Sequence, residues 1–178
     1  DKKSHIIKKV MPSVQAAAYQ RAVLVARSSG KQKGKMLQAI QNFRSISLHP
    51  FLYDGSVDNE YYVKSSARLE GTFEILDAIK SKKEKVLIFV ESKKMQQWIV
   101  PYIQQRYALD HAPMVINGTV SGPKRQERVR IFQNLQRKEF DVMILSPKAG
   151  GVGLTLTAAS HVIHLSRWWN PAVEDQCT

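Results

Sequence analysis

Residues 86–90 read Val-Leu-Ile-Phe-Val, and this continuous apolar, β-rich run decides the fold class. A run without polar alternation is typical of a strand buried on both faces in the middle of a parallel sheet. Three further short apolar runs follow, and segments with helical spacing of apolar residues separate the first three runs. The predicted strands are 86–90, 113–116, 142–145 and 161–165, and the predicted helices between them are 94–107 and 124–135.

This alternation of strands and helices predicts an α/β fold with a mainly parallel sheet covered by helices on both faces. Right-handed crossovers would then place the carboxyl ends of all the strands along one edge of the sheet. Open α/β sheets bind their ligands at that edge. The loops that follow the strands are therefore the first place to look for a functional site.

Residues 1–64 form a different kind of segment. Helical spacing of apolar residues predicts helices over 14–26 and 36–46, and His49-Pro50 ends the second because proline pushes its predecessor out of the helical region. Residues 51–63 are predicted to be an irregular connector. The second domain, 65–178, is predicted to begin with a serine-capped amphipathic helix marked by Leu69, Phe73, Leu76 and Ile79.

The charge of the chain points to a polyanionic partner. Its 178 residues hold 27 Lys and Arg against 15 Asp and Glu, a net charge of +12, and most of that excess lies in the first fifty residues. The basic segment Ser28–Lys35 is either a solvated loop or a phosphate contact. It is not a nucleotide-binding P-loop, because Gly30 and Gly34 are one residue too close and Met36 replaces the required hydroxyl.

Several other classes of protein are disfavoured. The apolar runs are too short to span a bilayer, and the single cysteine, Cys177, excludes an intramolecular disulfide and a zinc knuckle. His161 and His164 lack a third ligand with suitable spacing, so no metal site is predicted. The cationic, hydrophilic residues 1–10 do not resemble a signal peptide, and an intracellular setting is expected.

Each predicted strand is followed by a loop of hydroxyl, amide, cationic or glycine residues. Turn formation alone would explain any one of these loops, but four of them along one edge favour an anionic ligand. The loop Ser146–Gly153 is the strongest, since three glycines allow close backbone approach and Lys148 adds a charge. Its alternative interpretation is a tight turn between a strand and a helix.

Residues 142–171, VMILSPKAGGVGLTLTAASHVIHLSRWWNP, resemble the fifth conserved motif and its continuation in the Swi/Snf-type ATPases, the double-stranded-DNA translocases of helicase superfamily two. Further segments resemble this family in the correct order along the chain. They are Phe43–Pro50, Ser66–Leu69, Val86–Ser92, and Asn117-Gly118 with Arg125, Arg128 and Phe132.

The resemblance implies two RecA-like lobes that clamp ATP and step along duplex DNA, and this chain resembles the second, three-layer lobe. The first lobe of the same polypeptide would supply the P-loop lysine and most of the site for ATP with Mg²⁺. The family's finger arginine would lie beyond Thr178, so we expect no catalytic residue in this chain. A monomer is expected, in the cytoplasm on a bacterial nucleoid or in a nucleus.

The resemblance also assigns binding residues. One DNA strand would be contacted by Ser92, Lys94, Gly118, Ser146, Lys148 and Trp169, although packing in the core or between lobes is an equally good interpretation of Trp169. The nucleotide would be approached by Gly151, Gly153 and Thr155. Pro147 and Thr155 depart from the hydroxyl and the asparagine that the family often has at those positions.

Three functions remain open at this point. The first is the second lobe of an ATP-dependent double-stranded-DNA translocase of the chromatin or protein–DNA remodelling class. The second is a stand-alone nucleic-acid-binding module without ATPase activity. The third is an RNA helicase lobe, against which the segments Gly150–Gly153 and Trp169–Pro171 argue.

Overall fold

The computed structural model of this chain describes residues 3–28, 33–134, 136–150 and 154–166. The chain divides into two compact units, Asp1–Glu74 and Ile75–Thr178. This division falls inside a helix, whereas the sequence places the domain boundary at 64/65, before that helix. The boundary at 64/65 stays a prediction.

The first unit is helical. It contains α1 (Ser13–Ser28), α2 (Lys33–Leu48), α3 (Asn59–Lys64) and the start of α4 (Ala67–Lys82). The predictions of α1, α2 and α4 are confirmed, but that of an irregular connector over 51–63 is wrong where α3 begins. Asp58 caps α3 by accepting a hydrogen bond from the Tyr61 amide at 2.8 Å. A helix of six residues is too short for apolar periodicity to indicate it.

Two polar side chains join the helices of this unit. Gln15 is buried, its Nε2 donates to the carbonyl of Ile46 at 2.8 Å, and its Oε1 accepts from the amide of Ala67 at 3.0 Å. Ser66 caps α4 as predicted, since its Oγ accepts from the Leu69 amide at 3.2 Å. The start of α4 is thus fixed to α1 through Gln15.

The second unit is built on a parallel sheet. Its strands are β1 (Lys85–Phe89), β2 (Met114–Ile116), β3 (Asp141–Leu145) and β4 (His161–His164), in the order β2-β3-β1-β4. The helices α5 (Lys93–Arg106), α6 (Gly122–Phe132) and α7 (Pro147–Gly150) follow β1, β2 and β3. Every residue of β1 and β3 is buried. Because neighbouring side chains of a strand point to opposite faces, both faces of the sheet are covered, and the predicted α/β fold is confirmed.

The amino edge of the sheet holds two buried charged residues. Lys85 and Asp141 lie opposite each other in the register of β1 and β3. Asp141 therefore starts β3, one residue before the predicted start at 142. Burial raises the pKa of the Asp141 carboxyl, an effect that the nearby His111 and Lys85 oppose. The Lys85 Nζ donates to the carbonyl of Phe132, the last residue of α6, at 2.6 Å and to that of Asn134 at 3.1 Å.

Candidate functional site

The carboxyl ends of the strands meet along one edge, and hydrogen bonds continue the sheet into the loops that follow. The Ser146 amide donates to the carbonyl of Ile116 at 3.0 Å, and the Val90 amide donates to that of Leu145 at 2.9 Å. The strand order therefore places Gly118, Ser146 and Ser92 in a row, on the loops after β2, β3 and β1. The sequence predicts that these loops share an edge, but only the structure gives their order.

The loop after β1 ends in a capped helix that points its amino end at this edge. Ser92 caps α5, since its Oγ accepts from the Met95 amide at 3.2 Å. The hydroxyl accepts in this bond, which leaves its O–H group as a donor. The first turn of α5 carries Lys93 and Lys94, both exposed, and no acid. Cations at a helix amino end are unfavourable for the helix itself, but they suit a bound anion.

The loop after β2 carries a glycine that the fold does not require. Gly118 is exposed, its backbone is outside the left-handed region, and an added Cβ would meet no atom within 4 Å. The turn is held instead by Asn117, whose Oδ1 accepts from the amide of Thr119 at 3.0 Å and from its hydroxyl at 2.6 Å. The bare backbone at Gly118 therefore offers close approach to a ligand outside the chain.

The loop after β3 begins with a short helical turn. The alternative of a tight strand-to-helix turn is the better description of its start, since α7 begins at Pro147, directly after Ser146. Ser146 is half-buried, and its carbonyl accepts from the Ala149 amide at 3.0 Å. Lys148 is exposed on α7. A hydroxyl and a cation thus lie on the middle loop of the row.

The remaining predicted site residues are the three nucleotide-binding candidates and Trp169. Gly151, Gly153 and Trp169 lie outside the described residues. Thr155 is exposed and comes two residues before Thr157, whose Oγ1 accepts from the Nε2 of Gln133 at 3.0 Å. Gln133 directly follows the carboxyl end of α6. Thr155 therefore lies on the segment that Thr157 joins to the end of α6.

Sequence reasoning missed one residue at this edge, Gln96. Its side chain is only 4% exposed; Nε2 donates to the carbonyl of Val90 at 2.8 Å, and Oε1 accepts from the Nδ2 of Asn117 at 2.9 Å. The sequence does contain a signal for Gln96, because this polar residue stands next to the apolar positions on the buried face of α5. Those positions are Met95, Trp98, Ile99, Tyr102 and Ile103.

The two edges of the sheet differ in charge. In the loops 90–94, 117–125 and 146–150, Glu91 is the single acid, against Lys93, Lys94, Lys124, Arg125 and Lys148. The amino edge has an open cavity of about 510 Å³ whose lining mixes both signs, with Lys85, Arg130 and Arg137 beside Glu139 and Asp141. An extended anion is therefore favoured at the carboxyl edge.

Two kinds of feature are not found in the part of the chain that the structure describes. In 3–28, 33–134, 136–150 and 154–166, no three His, Cys, Asp or Glu residues are grouped so that they could hold a metal ion. No helix within these same ranges is long and apolar enough to cross a bilayer.

Comparison with known proteins identifies relatives of this chain. The sequence profile of the helicase conserved C-terminal domain family matches residues 69–178. The "Putative ATP-dependent helicase/translocase YwqA" of Bacillus subtilis is 35% identical over 170 residues, which cover 92% of this chain and 18% of YwqA. The chain spans less than a fifth of the length of the curated relatives that it matches first.

Two solved structures share the fold. The C-terminal domain of the Sulfolobus solfataricus SWI2/SNF2 ATPase matches with a TM-score of 0.74 and 32% identity, over 90% of this chain and 70% of that one. The core of the SWI2/SNF2 ATPase from the same organism, in complex with dsDNA, matches with a TM-score of 0.71 and 26% identity, over 94% of this chain and 36% of that one. The similarity includes the parallel sheet whose carboxyl edge carries the cationic loops.

Proposed function

Because the chain belongs to the helicase conserved C-terminal domain family, and within it to the Swi/Snf-type ATPases, we propose that it is the second lobe of an ATP-dependent double-stranded-DNA translocase of the chromatin or protein–DNA remodelling class. The observation that carries this proposal is the row of three loops at one edge of the sheet. These loops are rich in cations, and the amino end of α5 lies on one of them. In the cell the protein acts as a monomer where DNA is found, in a bacterial cytoplasm or in a nucleus.

The proposed grip is on the backbone of one DNA strand. The hydroxyls of Ser92 and Ser146 and the backbone of Gly118 donate to phosphate oxygens, while Lys94 and Lys148 add charge. Such contacts do not read the bases, so binding is independent of sequence. Trp169 is proposed to lie against the same backbone. The relative whose structure contains dsDNA supports the choice of duplex over other polyanions.

The second proposed ligand is ATP, and this chain forms one wall of the cleft that binds it. Gly151 and Gly153 bring their backbone to the nucleotide, and Thr155, an exposed hydroxyl, is suited to donate to a phosphate. The described residues do not fit Mg²⁺, since they contain no cluster of acids or histidines for it. The first lobe of the same polypeptide is proposed to hold the metal and the P-loop lysine. Hydrolysis of bound ATP supplies the free energy, and closure of the two lobes moves the phosphate grip.

Duplex binding by the full chain tests this proposal. Fluorescence anisotropy with a labelled duplex should show weak binding that is the same for unrelated sequences and falls steeply between about 50 and 200 mM salt. A flat response to salt, or a marked preference for one sequence, would overturn the backbone grip. The full chain alone should hydrolyse no ATP when duplex is added, because the P-loop lysine and the finger arginine are elsewhere.

The two alternatives give different results in further assays. A stand-alone nucleic-acid-binding module binds duplex in the same way, but the full-length polypeptide would then show no DNA-stimulated ATP hydrolysis. An RNA helicase lobe would bind an RNA duplex more tightly than a DNA duplex of the same sequence. A competition experiment between the two duplexes separates this third function from the first.

A further inference from the structure

We propose that Gln96 is a positioning residue that holds the loop after β1 and the loop after β2 at a fixed spacing on the DNA backbone. The inference rests on the proposed function, because the two loops carry Ser92 and Gly118 of the proposed grip. Gln96 lies in the first turns of α5, four residues after Ser92, and its own amide donates to the Ser92 carbonyl at 2.9 Å. Its side chain points away from solvent, with 4% exposed.

A continuous set of hydrogen bonds runs from β1 to the turn after β2 through this side chain. Gln96 Nε2 donates to the carbonyl of Val90, directly after β1, at 2.8 Å. Gln96 Oε1 accepts from Asn117 Nδ2, directly after β2, at 2.9 Å. Asn117 Oδ1 in turn accepts from the amide and the hydroxyl of Thr119. Gly118 lies inside that turn, so its position depends on Asn117.

The topology of the sheet explains why such a connection matters. β1 and β2 are not neighbours, because β3 lies between them. Adjacent strands are about 4.8 Å apart, so the ends of β1 and β2 are separated by roughly 10 Å. The sheet itself joins the two strand ends only by way of β3. Gln96 joins their loops directly, above the end of β3.

Packing alone does not require an amide side chain at position 96. A leucine has a similar volume and would fill the same buried space without requiring polar partners. A buried amide, by contrast, is tolerated only where its donor and acceptor are both paired. If the Gln96 amide were reversed, its oxygen would face the Val90 carbonyl oxygen and its NH₂ group would face the NH₂ group of Asn117. One orientation is therefore enforced, and a fixed orientation is what a preorganised contact requires.

The test compares Gln96→Leu with Gln97→Leu, the same substitution at the exposed neighbouring position on α5. Duplex affinity of the full chain is measured by anisotropy over a series of salt concentrations, and the melting temperature is measured in parallel. Gln96→Leu should weaken duplex binding about tenfold and leave the slope of log K against log salt unchanged, since the contacts it displaces come from the neutral donors of Ser92 and Gly118, which release no counterions. Gln97→Leu should change neither quantity.

A second variant approaches the connection from its other end. Asn117→Ala removes the partner of Gln96, and the double variant with Gln96→Leu should bind duplex no more weakly than the weaker single variant. Such non-additivity is expected when two residues act through one connection. If Gln96→Leu does not fold, Asn117→Ala alone must show the tenfold loss of affinity at an unchanged salt slope.

The outcomes distinguish this inference from the proposed function. If the unsubstituted chain does not bind duplex in a salt-dependent way, the proposed function is wrong, and the role of Gln96 falls with it. If the chain binds as expected, but Gln96→Leu lowers only the melting temperature and keeps the affinity of Gln97→Leu, Gln96 is merely structural. In that case the positioning role is overturned and the proposed function stands.

Discussion

His49 stacks on Tyr62 with ring centroids 3.7 Å apart and 16° between the ring planes, and its Nε2 lies 2.8 Å from the backbone carbonyl of the same tyrosine. Its Nδ1 accepts from the Phe51 amide at 3.1 Å. Nδ1 is therefore unprotonated, and Nε2 carries the proton that it donates to Tyr62. Both ring nitrogens are paired only in this neutral tautomer, which protonation of Nδ1 would destroy.

The first prediction is that the chain loses stability in mild acid because of His49. Burial lowers the pKa of His49 below that of a free histidine, although its backbone hydrogen bonds oppose the shift. The unfolded state therefore binds a proton first as the pH falls below about 6.5. His49 makes its full contribution to the free energy of unfolding above that pH. The contribution decreases on acidification until the pH falls below the pKa of His49 in the folded state. Urea unfolding at a series of pH values measures the loss.

Two histidine variants isolate this effect. His49→Gln should be less stable than the unsubstituted chain at neutral pH, and the difference between them should shrink toward about pH 5. His5→Gln, at an exposed position before α1, should keep the pH dependence of the unsubstituted chain. A constant difference between the chain and His49→Gln over this range would contradict the prediction.

The second prediction concerns Gly118, which has open space around its missing Cβ. Gly118→Ala should leave the free energy of unfolding unchanged or raise it by about 0.4–1 kcal/mol, because alanine restricts the unfolded chain. Duplex affinity should nevertheless fall, by roughly fivefold if the methyl group removes one hydrogen bond worth about 1 kcal/mol. Anisotropy and urea unfolding of the same sample separate the two effects.

Gly122→Ala is the matched control for Gly118→Ala. Gly122 has the same open surroundings at the start of α6, but it is not a predicted DNA contact. Its substitution should leave duplex affinity unchanged. Equal affinities for both alanine variants would remove Gly118 from the proposed grip.

The third prediction concerns the charge of Lys94 in the first turn of α5. Lys94→Gln should weaken binding uniformly across DNA sequences and reduce the salt slope by about 1, since one counterion-releasing contact is lost. Lys138→Gln removes an equally exposed charge near the amino edge of the sheet and should affect the slope little. If both substitutions reduce the slope equally, the chain responds to net charge and not to a grip at the carboxyl edge.

The fold was readable from the sequence where apolar pattern alone determines structure. The run at 86–90 and the similar run at 142–145 predicted strands buried on both faces, and the parallel sheet followed from their alternation with helices. Strand order was not readable, because hydrogen bonding between β1 and β3 leaves no local pattern in either strand. The row of Gly118, Ser146 and Ser92 depends on that order and therefore emerged only from the structure.

Polar residues inside the core were the other gap. Gln96, Lys85 and Asp141 are buried, although their residue types are usually exposed. Each is tolerated in the core because other residues form hydrogen bonds with it or place an opposite charge beside it. Tertiary structure brings those residues close. The predicted strands at 86–90 and 142–145 therefore omit Lys85 and Asp141, which are the first residues of β1 and β3.

The last prediction concerns Lys85, whose ammonium group donates to the carbonyls of Phe132 and Asn134 at the end of α6 and lies 5.3 Å from the ring centroid of Phe132. Lys85→Met keeps the long side chain but removes the charge, so the Phe132 carbonyl loses its donor in a buried position. The free energy of unfolding should fall by about 1–3 kcal/mol. Lys82→Met, at an exposed position at the end of α4, should change it by no more than about 0.5 kcal/mol. Lys85 lies at the amino edge, so duplex affinity measured well below the melting temperature should be unchanged in Lys85→Met. A loss of affinity equal to that of Lys94→Gln would place DNA at the amino edge and contradict the site assigned to the three loops.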